Sequence, residues 1–204
     1  MTYAYSRLYD KIIAAVDSEG SIADRMQVVI NECAEQRPHS DWSRLANIDF
    51  NADDQKIELW LGGAILDPTA THRREGLWFG LFNPIFAGKP TADIYVSAAP
   101  DYDQVSIEWA CDIEKRHAGS CLESKILKEI YSIAYESSGG LNNDAEYPLV
   151  LAYGGIVAHT ALLTMAATYL SAEFRGAAVG FDSGDFLFLG DFDNSKFVSK
   201  VRAD

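Results

Sequence analysis

The chain has 204 residues, 48% of them apolar and 12% aromatic, and thirty Asp and Glu against seventeen Lys and Arg give a formal net charge of -13. That apolar content excludes disorder over most of the length, and a domain of this size buries roughly 70% of its unfolded surface, so it needs no disulfide or metal staple. The charge argues against a nucleic-acid ligand, which requires clustered Lys and Arg, and favours a basic partner.

The length suits one α+β domain over residues 1–204. Cys33, Cys111 and Cys121 are an odd count with no C-x-x-C pair, which fits reduced thiols in a cytoplasm rather than a disulfide framework. Met1 to Asp10 lacks a basic stretch followed by an apolar run, so no signal peptide is expected.

In chain order, Tyr5, Leu8, Ile12, Ile13 and Val16 fall on one face of a first helix that Gly20 stops. Ser21, with Asp24 three residues later, starts a second helix whose stripe is Ile22, Met26, Val29, Ile30 and Cys33, and Pro38 ends it. Four runs of period two follow: Ile57-Leu59-Leu61, Leu77-Phe79-Leu81, Ile94-Val96-Ala98 and Val105-Ile107-Trp109. They predict a central antiparallel meander. Ser120 with Glu123 predicts the start of a third helix, with Leu122, Ile126, Ile130 and Ile133 buried and Gly139-Gly140 as its break.

Residues 147–172 carry no charge apart from a possible proton on His159. That length could span a bilayer. Pro148, Gly154-Gly155, His159, three Thr and the lack of basic flanks point instead to a buried core helix, capped by Asn143 or Asp144 and kinked at the glycine pair. Strands at 177–181 and 186–189 then form a hairpin around Asp182-Ser183-Gly184-Asp185. The polar tail after Asn194 is expected to fray.

Motifs are sparse. No G-x-S-x-G, H-E-x-x-H, Walker loop or G-x-G-x-x-G is present. Leu189-Gly190-Asp191-Phe192-Asp193-Asn194-Ser195 has the D-x-D-x-S form of a haloacid-dehalogenase-type phosphatase motif, but the nine residues after Ser195 leave no room for that domain. Cys111, His117 and Cys121 do not have zinc-ligand spacing. A lone His159 in an apolar helix reads as a hydrogen-bonded core residue. Neither a metal nor a cofactor is expected.

Two acidic stretches remain. Asp182, Asp185, Asp191 and Asp193 lie in a span without Lys or Arg from Gly176 to Ser195. Turn chemistry alone explains such Asp residues; the other readings are a surface for cationic side chains or a divalent metal. Asp101, Asp103 and Glu108 belong to a second span, Asp93 to Glu114, that also has no base. It is either a solvated sheet edge or a competing landing surface, with Trp60, Trp78 and Trp109 as aromatic anchors.

Asn143-Asp144-Ala145-Glu146-Tyr147-Pro148-Leu149 with the apolar helix after it, then Val179-Gly180-Phe181-Asp182-Ser183-Gly184-Asp185 and Leu189-Gly190, resembles the C-terminal half of some bacterial immunity proteins. The likeness covers roughly the last third of the chain and carries over no functional residue. It implies a small acidic cytoplasmic protein that neutralises a cognate toxin domain without being an enzyme. A small hydrolase with an unrecognised carboxylate or metal site, and a structural subunit packing through residues 147–172, are the alternatives.

Overall fold

The computed structural model describes residues 4–65, 74–113, 120–136, 139–169, 173–194 and 196–203. The architecture is α+β, with six α-helices, a mixed five-stranded sheet and a separate two-stranded hairpin among the described residues.

The first two helices follow their apolar spacing. Helix α1 (Tyr5–Asp17) buries Leu8, Ile12, Ala15 and Val16. Helix α2 (Ile22–Gln36) begins at Ser21, whose hydroxyl accepts the Asp24 N–H at 3.1 Å, removing one of the orphan donors of the first turn. A short helix α3 (Asp41–Ala46) follows Pro38 and has no counterpart in the sequence reading.

Two of the four expected meander strands are not strands. Residues 57–61 lie in helix α4 (Asp54–Ile65). The carbonyl of Asp53 accepts the N–H groups of Lys56 and Ile57 and so opens that helix. Ile57, Trp60 and Leu61 are buried while Leu59 is 78% exposed, which is burial at helical spacing. Residues 105–109 form a turn and a short 3₁₀ helix (Glu108–Asp112). There the Asp103 carboxylate accepts the N–H groups of Val105 at 2.7 Å and Ser106 at 3.3 Å, and this local capture outcompetes a ladder.

The remaining two runs are strands β1 (Gly76–Phe82) and, after the small hairpin of β2 (Ile85–Phe86) and β3 (Lys89–Pro90), β4 (Asp93–Ala99). β1 and β4 pair antiparallel with Phe79 opposite Val96. The outer edge of β4 is closed by residues 120–122: Val96 N–H donates to the Ser120 carbonyl and Leu122 N–H to the Ile94 carbonyl. That extended path, with Glu123 at φ +53°, moves the start of the third predicted helix. Helix α5 (Lys125–Tyr135) is capped by Ser124, not Ser120.

Helix α6 (Asn143–Tyr169) packs on α1, α2, α4, α5 and the sheet. Its stretch Asn143–Thr164 is long and apolar enough to cross a membrane, yet 78% of its apolar window is buried inside the fold, so core packing accounts for its composition. Pro148 is the sixth residue of the helix and so removes one interior hydrogen bond, the one to the Asp144 carbonyl. The helix runs on through Gly154-Gly155, and a Cβ at these positions would stand 2.6 Å from Leu81 and 2.8 Å from Val16. The pair lets β1 and α1 approach closely.

Strands β5 (Gly176–Phe181) and β6 (Phe186–Asp193) form the expected hairpin. β5 also pairs parallel to β1 with Phe79 opposite Val179. The sheet is therefore mixed, in the order β4-β1-β5-β6-β7. The tail does not fray: strand β7 (Lys196–Arg202) pairs antiparallel with β6, with Phe197 and Val201 against the core.

One sheet face, including Leu77, Phe79, Leu81, Ile94, Val179 and Leu187, joins the helices in the main core. The other carries a separate aromatic cluster of Trp78, Tyr95, Tyr102, Trp109 and Phe188. Its tyrosines lie across sheet glycines: a Cβ on Gly80 would stand 2.1 Å from the Tyr95 ring, and one on Gly176 2.0 Å from that of Tyr102.

Candidate functional site

The four hairpin aspartates, close in sequence, separate in space. Asp182 and Asp185 flank the β5–β6 turn, and Asp191 and Asp193 close the far end of β6. β6 has eight residues, which places the two ends about 25 Å apart.

Asp182 and Asp191 are acceptors for the aromatic cluster. Tyr95 donates its hydroxyl to Asp182 Oδ1 at 2.7 Å and accepts Trp78 Nε1–H at 3.2 Å. Tyr102 donates to Asp191 Oδ1 at 2.9 Å, and Lys200 Nζ to Asp191 Oδ2 at 2.7 Å. Burial pushes the Asp191 carboxyl up, but the bonds from Lys200 and Tyr102 and the charges of Lys200 and Arg202 outweigh it and hold it below the usual range. Asp191 is buried, so it presents no free charge. Asp193 is exposed and takes Asn194 Nδ2–H at 2.8 Å. Asp101, Asp103 and Glu108 are exposed on the loop beyond β4. Asp103 holds its own turn, and Arg202, over the Phe188 ring at 4.1 Å, donates to the Gln104 carbonyl beside it. At this end of the sheet the acids stand among Lys196, Lys200 and Arg202.

Asp185 stands in a different setting, on a groove of about 920 Å³ between α1, the first turns of α6 and the β5–β6 turn. Helical spacing builds one wall: Tyr5, Tyr9 and Ile13 stand four residues apart, with Ser6 and Asp10 on the neighbouring row. Asn143 and Tyr147 come from α6, and Gly184, Asp185 and Phe186 from the turn. Tyr9 donates its hydroxyl to the Phe186 carbonyl at 2.8 Å. Tyr147 stacks on Phe181 at 5.5 Å and meets the Tyr5 ring edgewise at 6.4 Å. Burial, and then the Asp185 charge, push the Tyr9 and Tyr147 hydroxyls well above the ordinary phenol range, so both stay protonated. No Lys or Arg is among the described lining residues.

Tyr5 is thus not part of the buried stripe of α1; it is 53% exposed on the groove. The sequence reading found Asp185 but not Asp10 or the tyrosines. The one local signal was the Tyr5/Tyr9 repeat at four residues, which core packing explains equally well.

His159 is a buried core residue, as its place in the apolar helix predicts. Its Nε2 is 2.8 Å from Ser199 Oγ, its Nδ1 3.4 Å from Arg25, and Ser199 donates onward to Asp17. Burial first, and then Arg25, lower its pKa to about 4. With Arg25 facing Nδ1, the imidazole proton sits on Nε2 and points at Ser199. The serine hydroxyl gives its own proton to a carboxylate, which is the reverse of an activated nucleophile. His117 and Ser195, weighed above as parts of a zinc site and a phosphatase motif, lie outside the described residues. Among the described residues no three His, Cys, Asp or Glu side chains converge as metal ligands would.

Comparison with known proteins returned no matching family model, no matching curated protein and no matching solved structure.

Proposed function

We propose that the protein is a non-enzymatic cytoplasmic inhibitor that binds a basic protein, in the manner of an immunity protein neutralising a toxin domain, and engages neither nucleic acid nor membrane. The observation that carries this reading is the groove beside Asp185, where two carboxylates and three tyrosines meet with no cation among the described lining residues. The net charge of -13 supports it, because a field of that sign steers a basic partner into fast encounter. Asp182 and Asp193 lie outside this groove, and Asp101, Asp103 and Glu108 form the competing surface.

The test uses the purified protein as bait in a lysate of its source cells, with washes of rising salt, followed by kinetics on the captured partner. One basic protein is expected, associating rapidly at low salt, retained at high salt, and slowed when Asp10→Lys and Asp185→Lys are combined. Capture restricted to acidic proteins, or an association rate indifferent to salt, refutes the reading.

A further inference from the structure

We infer that the groove between α1, α6 and the β5–β6 turn receives an arginine side chain of the partner protein. The inference deepens the proposed function and rests on it for the partner being a protein; the recognition of the guanidinium rests on the groove alone.

Size, charge and preorganisation point to it. A volume of about 920 Å³ lies within the range of ligand-binding clefts. Its carboxylates come from two different elements, Asp10 from α1 and Asp185 from the β5–β6 turn, so both walls carry the same sign of charge. The tyrosine walls are fixed before binding: Tyr9 is tied to the Phe186 carbonyl, and Tyr147 is stacked on the Phe181 ring. A fixed receptor loses little entropy when it is filled. Aromatic faces attract a cation through the ring quadrupole. Arginine gains more here than lysine, because a planar guanidinium can stack on a tyrosine while its fork reaches a carboxylate, and because it sheds water more readily than an ammonium.

The other acidic surface does not offer this. Asp191 is already paired with Lys200, Asp103 holds its own turn, and Arg202 stands against the same loop. An incoming arginine would meet resident cations there. At the groove the described lining supplies none.

The probe is N-acetyl-arginine methylamide, titrated into isotope-labelled full-length protein and followed by NMR, with the lysine and citrulline analogues as comparisons. Saturable millimolar binding is expected, with shifts centred on Tyr5, Tyr9, Tyr147 and Asp185. The lysine analogue should bind more weakly and the neutral citrulline analogue should not bind. Asp10→Asn and Asp185→Asn should each weaken the arginine probe by about tenfold. Asp10 is exposed on α1, so that variant keeps the test valid even if Asp185→Asn perturbs the turn. Equal binding of citrulline, shifts centred on residues 101–108, or no saturation overturns the inference. The two readings fail separately. Probe binding with only acidic proteins captured from the lysate leaves the groove and sinks the inhibitor. Capture of a basic protein whose association ignores Asp10 and Asp185, with no probe binding, does the opposite.

Discussion

Asp53 is 0% exposed, and no cation neutralises it among its described hydrogen-bond partners. It is held by donors instead. Oδ2 accepts Ser124 Oγ–H at 2.5 Å, Tyr153 O–H at 3.1 Å and Ile126 N–H at 3.4 Å, and Oδ1 accepts Lys125 N–H at 3.0 Å. The two N–H groups are orphans of the first turn of α5, and Ser124 itself caps Leu127. The Asp53 main chain meanwhile opens α4, so one residue joins two helices. Asp53→Ala leaves two buried hydroxyls and the helix donors without their acceptor. At roughly 1–3 kcal/mol for each buried group left unpaired, and with some refilling by water at Lys125, the cost is about 4 kcal/mol. In a chain of this size that lowers Tm by about 8–16 °C. Asp53→Asn keeps the acceptor at the Oδ2 position but turns an amide toward Lys125 N–H, and should cost about half as much. Urea unfolding followed by circular dichroism reads both differences from the midpoints. An Asp53→Ala variant within about 1 kcal/mol of the parent would refute the assignment of Asp53 as the joint between α4 and α5.

The pH dependence of stability should report His159. Its folded pKa of about 4 lies below the unfolded value of 6.5, so the unfolded chain takes up the proton first. Its contribution is intact above pH 6.5 and is lost as pH falls toward 4, by about 3 kcal/mol in all. The ring faces Arg25 from α2 and, through Ser199 of β7, Asp17 at the end of α1. His159→Gln should remove that part of the slope between pH 7 and pH 4.5, and parallel urea titrations with equal slopes would contradict the assignment. Gly80→Ala, which drives a Cβ into the Tyr95 ring, should destabilise by about 1–3 kcal/mol and change the fluorescence of Trp78. Gly184→Ala, with nothing within 4 Å of its Cβ, should stay within about 0.5 kcal/mol of the parent, and equal costs for the two would undercut the close-approach argument.

What could be read from the sequence was what short stretches decide alone. The Ser21 cap, the stripes of α1 and α2, the long core helix and the β5–β6 turn all rest on residues within a few positions of one another. Residues 57–61 misled because Ile57, Leu59 and Leu61 fit a strand while Ile57, Trp60 and Leu61 fit a helix. Only tertiary burial, with Leu59 left outside, separates the two. Residues 105–109 misled because a single carboxylate, Asp103, turns the chain before the alternation can pair. β7 was missed for the opposite reason: its Lys and Ser positions read as a polar tail until β6 offers an edge to pair with. The groove was illegible because it joins residues 5–13, 143–147, 184–186 and 203. Tyr5 looks like core on a helical wheel, and only the position of the first turns of α6 shows that it is not.

The same physics decides what the hairpin aspartates can do. Tyr95 and Tyr102 lie flat across the sheet because Gly80 and Gly176 leave room, and a hydroxyl carried to the rim of an aromatic cluster needs an acceptor. Asp182 and Asp191 supply it. Their acidity belongs to the fold, and reversing the charge at Asp182 would break the Tyr95 bond together with any steering. Asp182 is exposed too but is committed to the Tyr95 hydroxyl, whereas Asp185 lines the groove that Asp10 faces from another element. A change of association rate caused by Asp182→Lys therefore says little unless folding is shown to be intact. The same change caused by Asp10→Lys and Asp185→Lys reads the field at the groove itself. The acidic count of a sequence overstates the charge available to a partner wherever carboxylates have been drawn in to hold hydroxyls or stand beside resident cations, and at the groove Asp10 and Asp185 are exposed with no Lys or Arg in the described lining.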